Sequence, residues 1–204
     1  MYISKSITAI VALQLVEAGL VGLDEPVGAR VATAVGVADP GRAADVTIRQ
    51  LLTHTTGFPQ YESLFFRNQV ASCDEAAAVG FSRSLGGGGF RYSNMNYCIA
   101  GLAIEALTGL TYEQAVYRNL LTPLGISGMR LAPTIDPGPN ETQHVTTPGR
   151  NYMETLGAAG AWVASPTELV TIMDALDAST PGFKPLPAET VLQMIVPFGG
   201  TLGQ

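Results

Sequence analysis

The sequence predicts a largely helical stretch with only short extended pieces, and three features predict it. An apolar helix begins almost at residue 1 and runs to Gly19, with Ile7, Ile10, Val11, Leu15 and Val16 as its stripe. A second run, from Tyr97 through Ile99, Leu102 and Ile104 to Leu107, is apolar on most faces, the pattern of a buried central helix. Three further starts carry side-chain caps: Thr47 before a short helix over 48–52, Thr111 with Gln114, and Ser165 with Pro166 and Glu168.

At 204 residues the chain is long enough to bury a full core, and 47% hydrophobic against 14% charged residues describes a compact globular protein. A net charge of −6 without any cluster of Lys or Arg argues against a nucleic-acid partner. Two histidines and two cysteines do not make a metal-binding set. With so few cysteines, Cys73 and Cys98 are expected as free, mostly buried thiols. No apolar run is long enough to span a bilayer. A helix this close to residue 1, with no strand leading into it, raises the expectation that the sequence is the middle of a longer protein.

The central helix has a distinctive entrance. Residues 86–89 are all glycine and read as a loop that turns back, with Phe90 as its apolar anchor. Arg91-Tyr92-Ser93-Asn94 follows. Ser93 is suited to cap the helix and Gly109 to end it, so Tyr92 and Asn94 stand where a rigid buried element can hold them. Taken alone, a core tyrosine beside a capping asparagine explains this triplet as well as a functional site does.

In the second half, a helix is expected from Tyr112 to about Leu121. Residues 133–148 are polar and proline-rich and read as a long surface loop. Arg130 and Arg150 flank it as solvated charges, with contact between Arg150 and an anionic substrate as the alternative. Trp162 reads as a core aromatic or as pocket lining. After Ser165, the spacing places Leu169, Ile172, Met173 and Leu176 on one face. A last short helix over 187–196 is expected to turn Val191, Leu192 and Ile195 inward. His54 and the threonines around it read as a turn bonded to its own backbone.

Five stretches carry a family resemblance. Leu51-Leu52-Thr53-His54-Thr55-Thr56-Gly57-Phe58-Pro59 closely resembles the LLTHTSGLP signature of the serine beta-lactamase-like superfamily, which holds class C beta-lactamases, DD-peptidases and related esterases. Ser4-Lys5-Ser6-Ile7-Thr8-Ala9 with residues 13–23 resembles its SKSxTA segment and the stretch after it. Phe90-Arg91-Tyr92-Ser93-Asn94 with Tyr97 and Gly101 resembles FxYSNxxYxxLG. Thr108-Gly109 through Pro123-Leu124-Gly125, and residues 157–169, fall in the family's order as well.

The resemblance implies an α/β, beta-lactamase/transpeptidase-like fold, of which the part present is mostly the helical region with few strands. It implies one domain over 1–204, lacking N-terminal strands and C-terminal strands plus a helix, which could be met by the rest of the protein or by another chain. It also implies acyl transfer through a serine ester on a beta-lactam, a peptidoglycan-type peptide or a small ester, with no metal or organic cofactor. Such proteins are usually exported; the compartment of this chain is left open.

Carried over residue by residue, Lys5 is the motif lysine, Tyr92 the acid/base and Asn94 the substrate-binding amide. The family's nucleophile stands three residues before its lysine, on one helix face and one turn away. Here that position is Tyr2. Ser4 is the possible nucleophile that remains, although neighbouring helix positions point about 100° apart. The family's closing Lys-Thr-Gly or His-x-Gly triplet is also not found in Phe198-Gly199-Gly200-Thr201-Leu202-Gly203-Gln204. A non-catalytic relative that binds cell-wall peptide in the same cleft is therefore the alternative to a serine hydrolase.

Overall fold

Helices pack around one buried helix, and the reason lies in its composition. The computed structural model describes residues 2–142 and 148–195, at Tyr2 the backbone alone. Its elements, in order, are α1 (Tyr2–Glu17), α2 (Gly28–Ala34), α3 (Ile48–Leu52), α4 (Glu62–Phe66), α5 (Cys73–Phe81), α6 (Asn94–Thr108), α7 (Tyr112–Val116), β1 (Arg130–Leu131), α8 (Tyr152–Leu156), β2 (Trp162–Val163), α9 (Pro166–Leu176) and α10 (Ala188–Ile195). In α6 every residue from Asn94 to Ile104 is buried. Such a helix has no solvent face and must be packed on all sides. Helices α1, α2, α3, α5 and α7 and the tight turn Gly157–Ala159 do this.

Close approach to α6 depends on small residues. A Cβ at Gly101 would sit 2.5 Å from the Ala158 Cβ, so glycine is what lets the 157–159 turn lie against the helix. Strands are few among the described residues. β1 and β2 pair antiparallel, Arg130 opposite Val163 and Leu131 opposite Trp162, and Pro26 bridges Thr47.

Most local expectations are met. Thr47–Gln50, Thr111–Gln114 and Ser165–Glu168 all form reciprocal capping boxes, and Gly109 ends α6 at φ 70°. The helix begun by α7 continues to Leu121 as one wider π-helical turn, Tyr117–Leu121. The glycine loop does turn back: Gly86 N–H donates to Gly57 O, and Arg91 N–H to His54 O.

Four expectations are corrected. Cys73 and Cys98 are joined in a disulfide, with Cα atoms 5.7 Å apart; α5 returns on α6, bringing two positions 25 residues apart into contact. Phe90 is 59% exposed, with the His54 ring perpendicular to it at 6.1 Å between centroids. In α9 and α10, Met173, Leu192 and Ile195 face outward; Ile172, Ala175 and Thr190 are the buried positions, with the Thr190 hydroxyl donating to Glu17. Arg130 is paired with Glu141 at 2.7 Å, which pins the start of the 133–148 loop. The stretch 198–204, where the closing triplet was sought, lies outside the described residues.

Candidate active site

Three segments distant in sequence meet at the entrance of α6. A helix start leaves backbone N–H groups without intrahelical partners. Here the first is supplied from within: the Ser93 hydroxyl accepts Met95 N–H at 3.2 Å. Ser93 O accepts Asn96 N–H at 3.3 Å, and the 54–60 turn supplies further partners. His54 Nδ1 accepts Ser93 N–H at 3.2 Å, Gln60 Oε1 accepts Asn94 N–H at 3.1 Å, and Pro59 O takes the Ser93 hydroxyl at 2.7 Å. The turn thus fixes where Tyr92 and Asn94 stand.

Lys5 reaches this point from α1. Its ammonium donates to Asn94 Oδ1 at 2.9 Å and to Ala159 O at 2.6 Å. It lies 5.3 Å from the centre of the Tyr92 ring and 5.5 Å from that of Tyr97, within the range of cation–π attraction. No carboxylate pairs with it among the described residues. Burial therefore lowers Lys5 from 10.5 to about 8, because a desolvated ammonium without a counter-ion loses part of its preference for the charged form.

Asn94 is the hinge of the group. Its Oδ1 accepts from Lys5 and also from the Tyr92 hydroxyl, at 3.3 Å. An ammonium can only donate, so the atom it meets must be the oxygen, and the amide orientation is settled. Asn94 Nδ2 is consequently turned the other way, buried and without a hydrogen-bond partner among the described residues. A buried amide donor left unpaired loses about 1–3 kcal/mol. That makes it a place where an acceptor would be gained.

The lysine is held from behind by a second polar network. Thr8, one turn further along α1, reaches Ala158 O at 2.8 Å and Ser4 O at 3.0 Å, and its oxygen lies 2.7 Å from the Tyr112 hydroxyl. Trp162 Nε1 donates to that same hydroxyl at 2.9 Å. Trp162 is thus a core aromatic, the first of its two readings. With the Thr8 hydrogen committed to a carbonyl, Tyr112 must donate to Thr8. Fully buried, its phenol is pushed up to about 12 and stays neutral.

The structure brings Lys5, Tyr92 and Asn94 together and treats Ser4 differently. Ser4 is buried, 3% exposed, and its hydroxyl accepts the Trp162 backbone N–H at 3.2 Å, which ties it to β2. Arg150 is used elsewhere, donating to Phe66 O. Gln60, Asn96 and the carbonyl of Ala159 belong to the site but were not evident in the sequence. The one available signal was that the 51–59 signature and the Tyr-x-Asn triplet are both motifs of one family.

Comparison with known proteins gives the family. The family model described as Beta-lactamase matches residues 3–197. Penicillin-binding protein 4* of Bacillus subtilis (strain 168) is 29% identical over 139 residues, 63% of this chain and 29% of that protein. The chain spans about a third of the length of the curated relatives it matches. Among solved structures, a D-stereospecific amidohydrolase from Streptomyces sp. superposes with a TM-score of 0.73 at 26% identity, over 95% of this chain and 63% of that one. The D-amino acid amidase of Ochrobactrum anthropi SV3 does so with a TM-score of 0.66 at 27% identity, over 85% and 53%. With its helical α/β architecture and its ordered motifs, the chain belongs to the Beta-lactamase family, a family of serine hydrolases and acyl-transfer enzymes.

Proposed function

We propose that this chain carries the proton-transfer and carbonyl-binding half of an acyl-transfer site for amides formed by D-amino acids, the peptidoglycan stem peptide among them. The observation that carries this reading is the Lys5–Asn94–Tyr92 group, in which the donor Asn94 Nδ2 has no partner among the described residues. A substrate carbonyl placed at that amide would satisfy it. The names of the two structural relatives, a D-stereospecific amidohydrolase and a D-amino acid amidase, support the substrate class.

In this reading the neighbouring ammonium of Lys5 favours the phenolate of Tyr92. With a serine at position 2, where this chain has Tyr2, the phenolate would take the hydroxyl proton as that oxygen attacks the carbonyl, and return it to the amine as the C–N bond breaks. Water then hydrolyses the ester by the same proton path. Lys5 remains protonated while its ammonium donates to Asn94 and Ala159. The activity belongs to the complete protein, of which we propose that residues 1–204 form part of a single domain.

A second reading is favoured by the residue three places before Lys5. Tyr2 stands where the family places its serine, and Ser4 is engaged by β2. In that reading the chain binds D-amino acid peptides without acylation. Intact mass after treatment with a fluorophosphonate and a fluorescent penicillin, on the wild type and on Tyr2→Ser, separates the two. The first reading expects an adduct at position 2 in Tyr2→Ser and none in the wild type. An adduct at Ser4 of the wild type would reassign the nucleophile. If Tyr2→Ser binds D-phenylalaninamide but takes up neither probe, the acyl-transfer reading is lost and the binding one stands.

A further inference from the structure

His54 occupies a position that a turn residue alone does not require. Its backbone is left-handed, φ 57°, a conformation few non-glycine residues adopt. Its ring is buried against Tyr92, with centroids 4.7 Å apart, and against Tyr97 at 5.2 Å. The protonation of that ring is fixed by its neighbours. Ser93 N–H can only donate, so Nδ1 must be the unprotonated nitrogen. Asn96 Nδ2 shares the same acceptor at 3.0 Å, its own orientation set because its Oδ1 takes the Thr56 hydroxyl at 2.5 Å. The Thr56 oxygen in turn accepts Phe58 N–H. One buried chain of hydrogen bonds thus runs from the 54–60 turn into α6 and back.

We infer that His54 is a positioning residue: as a neutral imidazole it sets the tilt of the Tyr92 ring against Lys5 and, through Ser93 and Asn96, ties that tilt to the entrance of α6. The titratable groups that face it are Lys5 from α1, Tyr92 beside α6 and Tyr97 within it. None of them is an acid at neutral pH. An imidazolium would have no counter-charge there among the described residues, would stand beside the Lys5 ammonium, and would lose its Nδ1 acceptor. Burial, with the Lys5 charge adding to it, accordingly lowers His54 to about 4. The ring is neutral over the whole range in which Tyr92 would exchange protons with a substrate.

The inference rests on the reading of Tyr92 as the proton-transferring group, but its test does not need turnover. The protein is labelled with carbon-13 at tyrosine Cζ and at histidine Cε1, with Tyr92→Phe used to assign the Tyr92 signal. In the wild type, the Tyr92 resonance is expected to step with the His54 resonance, at the same midpoint, as pH is lowered from 7. His54→Asn keeps a side-chain acceptor and tolerates the left-handed backbone but removes the ring. It is expected to retain a folded α6, seen as continued amide protection of Met95 and Asn96, while shifting the Tyr92 resonance toward that of a solvent-exposed tyrosine.

A Tyr92 signal that ignores both His54 protonation and the Asn substitution overturns the inference. Where His54→Asn does not fold, the wild-type titration alone decides. Because both signals report geometry, a chain that neither binds nor acylates a D-amino acid amide would still show or lack this coupling. Failure of the functional reading and failure of this one are therefore separable.

Discussion

The start of α6 and the start of α9 are both capped by a serine, yet they are built on different principles. At α9 everything needed is local: Ser165, Pro166 and Glu168 complete a capping box within four residues. At α6 the cap is assembled from afar, with His54, Pro59 and Gln60 supplying partners from 34 to 39 positions away. The surroundings differ in the same sense. Asn94 to Ile104 is buried without a break, whereas α9 and α10 leave Val170, Met173, Leu192 and Ile195 largely exposed. A helix closed by its own sequence tolerates change nearby, while one closed by tertiary contacts holds side chains to a fixed geometry and transmits any disturbance to them.

The largest expected effect is removal of the bridge that ties α5 to α6. The Cys73–Cys98 disulfide closes a loop containing Tyr92 and Asn94, and loop-closure entropy puts its contribution at about 3.5 kcal/mol. Cys73→Ala with Cys98→Ala should lower the thermal midpoint accordingly, measured against unreduced wild type. An unchanged midpoint would mean that the α6 entrance is held by hydrogen bonds alone.

Acid should follow closely. The unfolded state binds a proton at His54 near 6.5 and the folded state only near 4, so between those values the unfolded chain holds more protons and stability falls as pH falls. The contribution is complete above about 6.5 and lost as pH drops through 4, amounting to at most about 3 kcal/mol. Denaturant titrations at pH 7 and pH 4 measure it, and His54→Asn should lose most of that difference.

Gly101→Ala sharpens the comparison on the packing side. The new methyl would stand 2.5 Å from Ala158 Cβ and push the turn that presents Ala159 O to Lys5. Overpacking of this kind destabilises by about 2 kcal/mol. Chemical denaturation reads the loss, and a shift of the Lys5 titration midpoint would show that the acceptor had moved with the turn. On the other side of the comparison, Met173→Lys and Ile195→Lys should change stability by less than about 0.5 kcal/mol. A large loss in either would reveal that the outer face of α9 and α10 is covered in solution.

How much of this was legible in the sequence follows the same division. The caps of α3, α7 and α9 use residues three apart and could be read directly. The triplet Tyr92-Ser93-Asn94 and Lys5 could be paired only through the family resemblance, since 89 positions separate the lysine from the asparagine it touches. The disulfide was missed because low cysteine count is a statement about composition, while bridging depends on how α5 turns back on α6. For α10 the apolar period was visible, but which face would be covered was only partly so: Val191 packs on the core with Met194, while Thr190, a polar residue, is buried where Glu17 at the end of α1 accepts its hydroxyl. Arg130 looked solvated because its partner, Glu141, sits across a loop with no periodicity to predict its path.

No carboxylate pairs with Lys5 among the described residues, so an anion bound at the proposed site would be coupled to the lysine's proton. Burial lowers Lys5 to about 8, so the share of the charged form falls as pH rises through that region. Any bound group that brings negative charge to Asn94 and Tyr92 favours the charged form. Binding must then draw a fraction of a proton from the buffer, most strongly around pH 8 and above and hardly at all near pH 6, where the lysine is already protonated. Affinity for anionic ligands therefore weakens as pH rises through 8, while a neutral amide is spared that dependence. On the proposed reading, the lysine would let the site discriminate between carboxylate and carboxamide by pH.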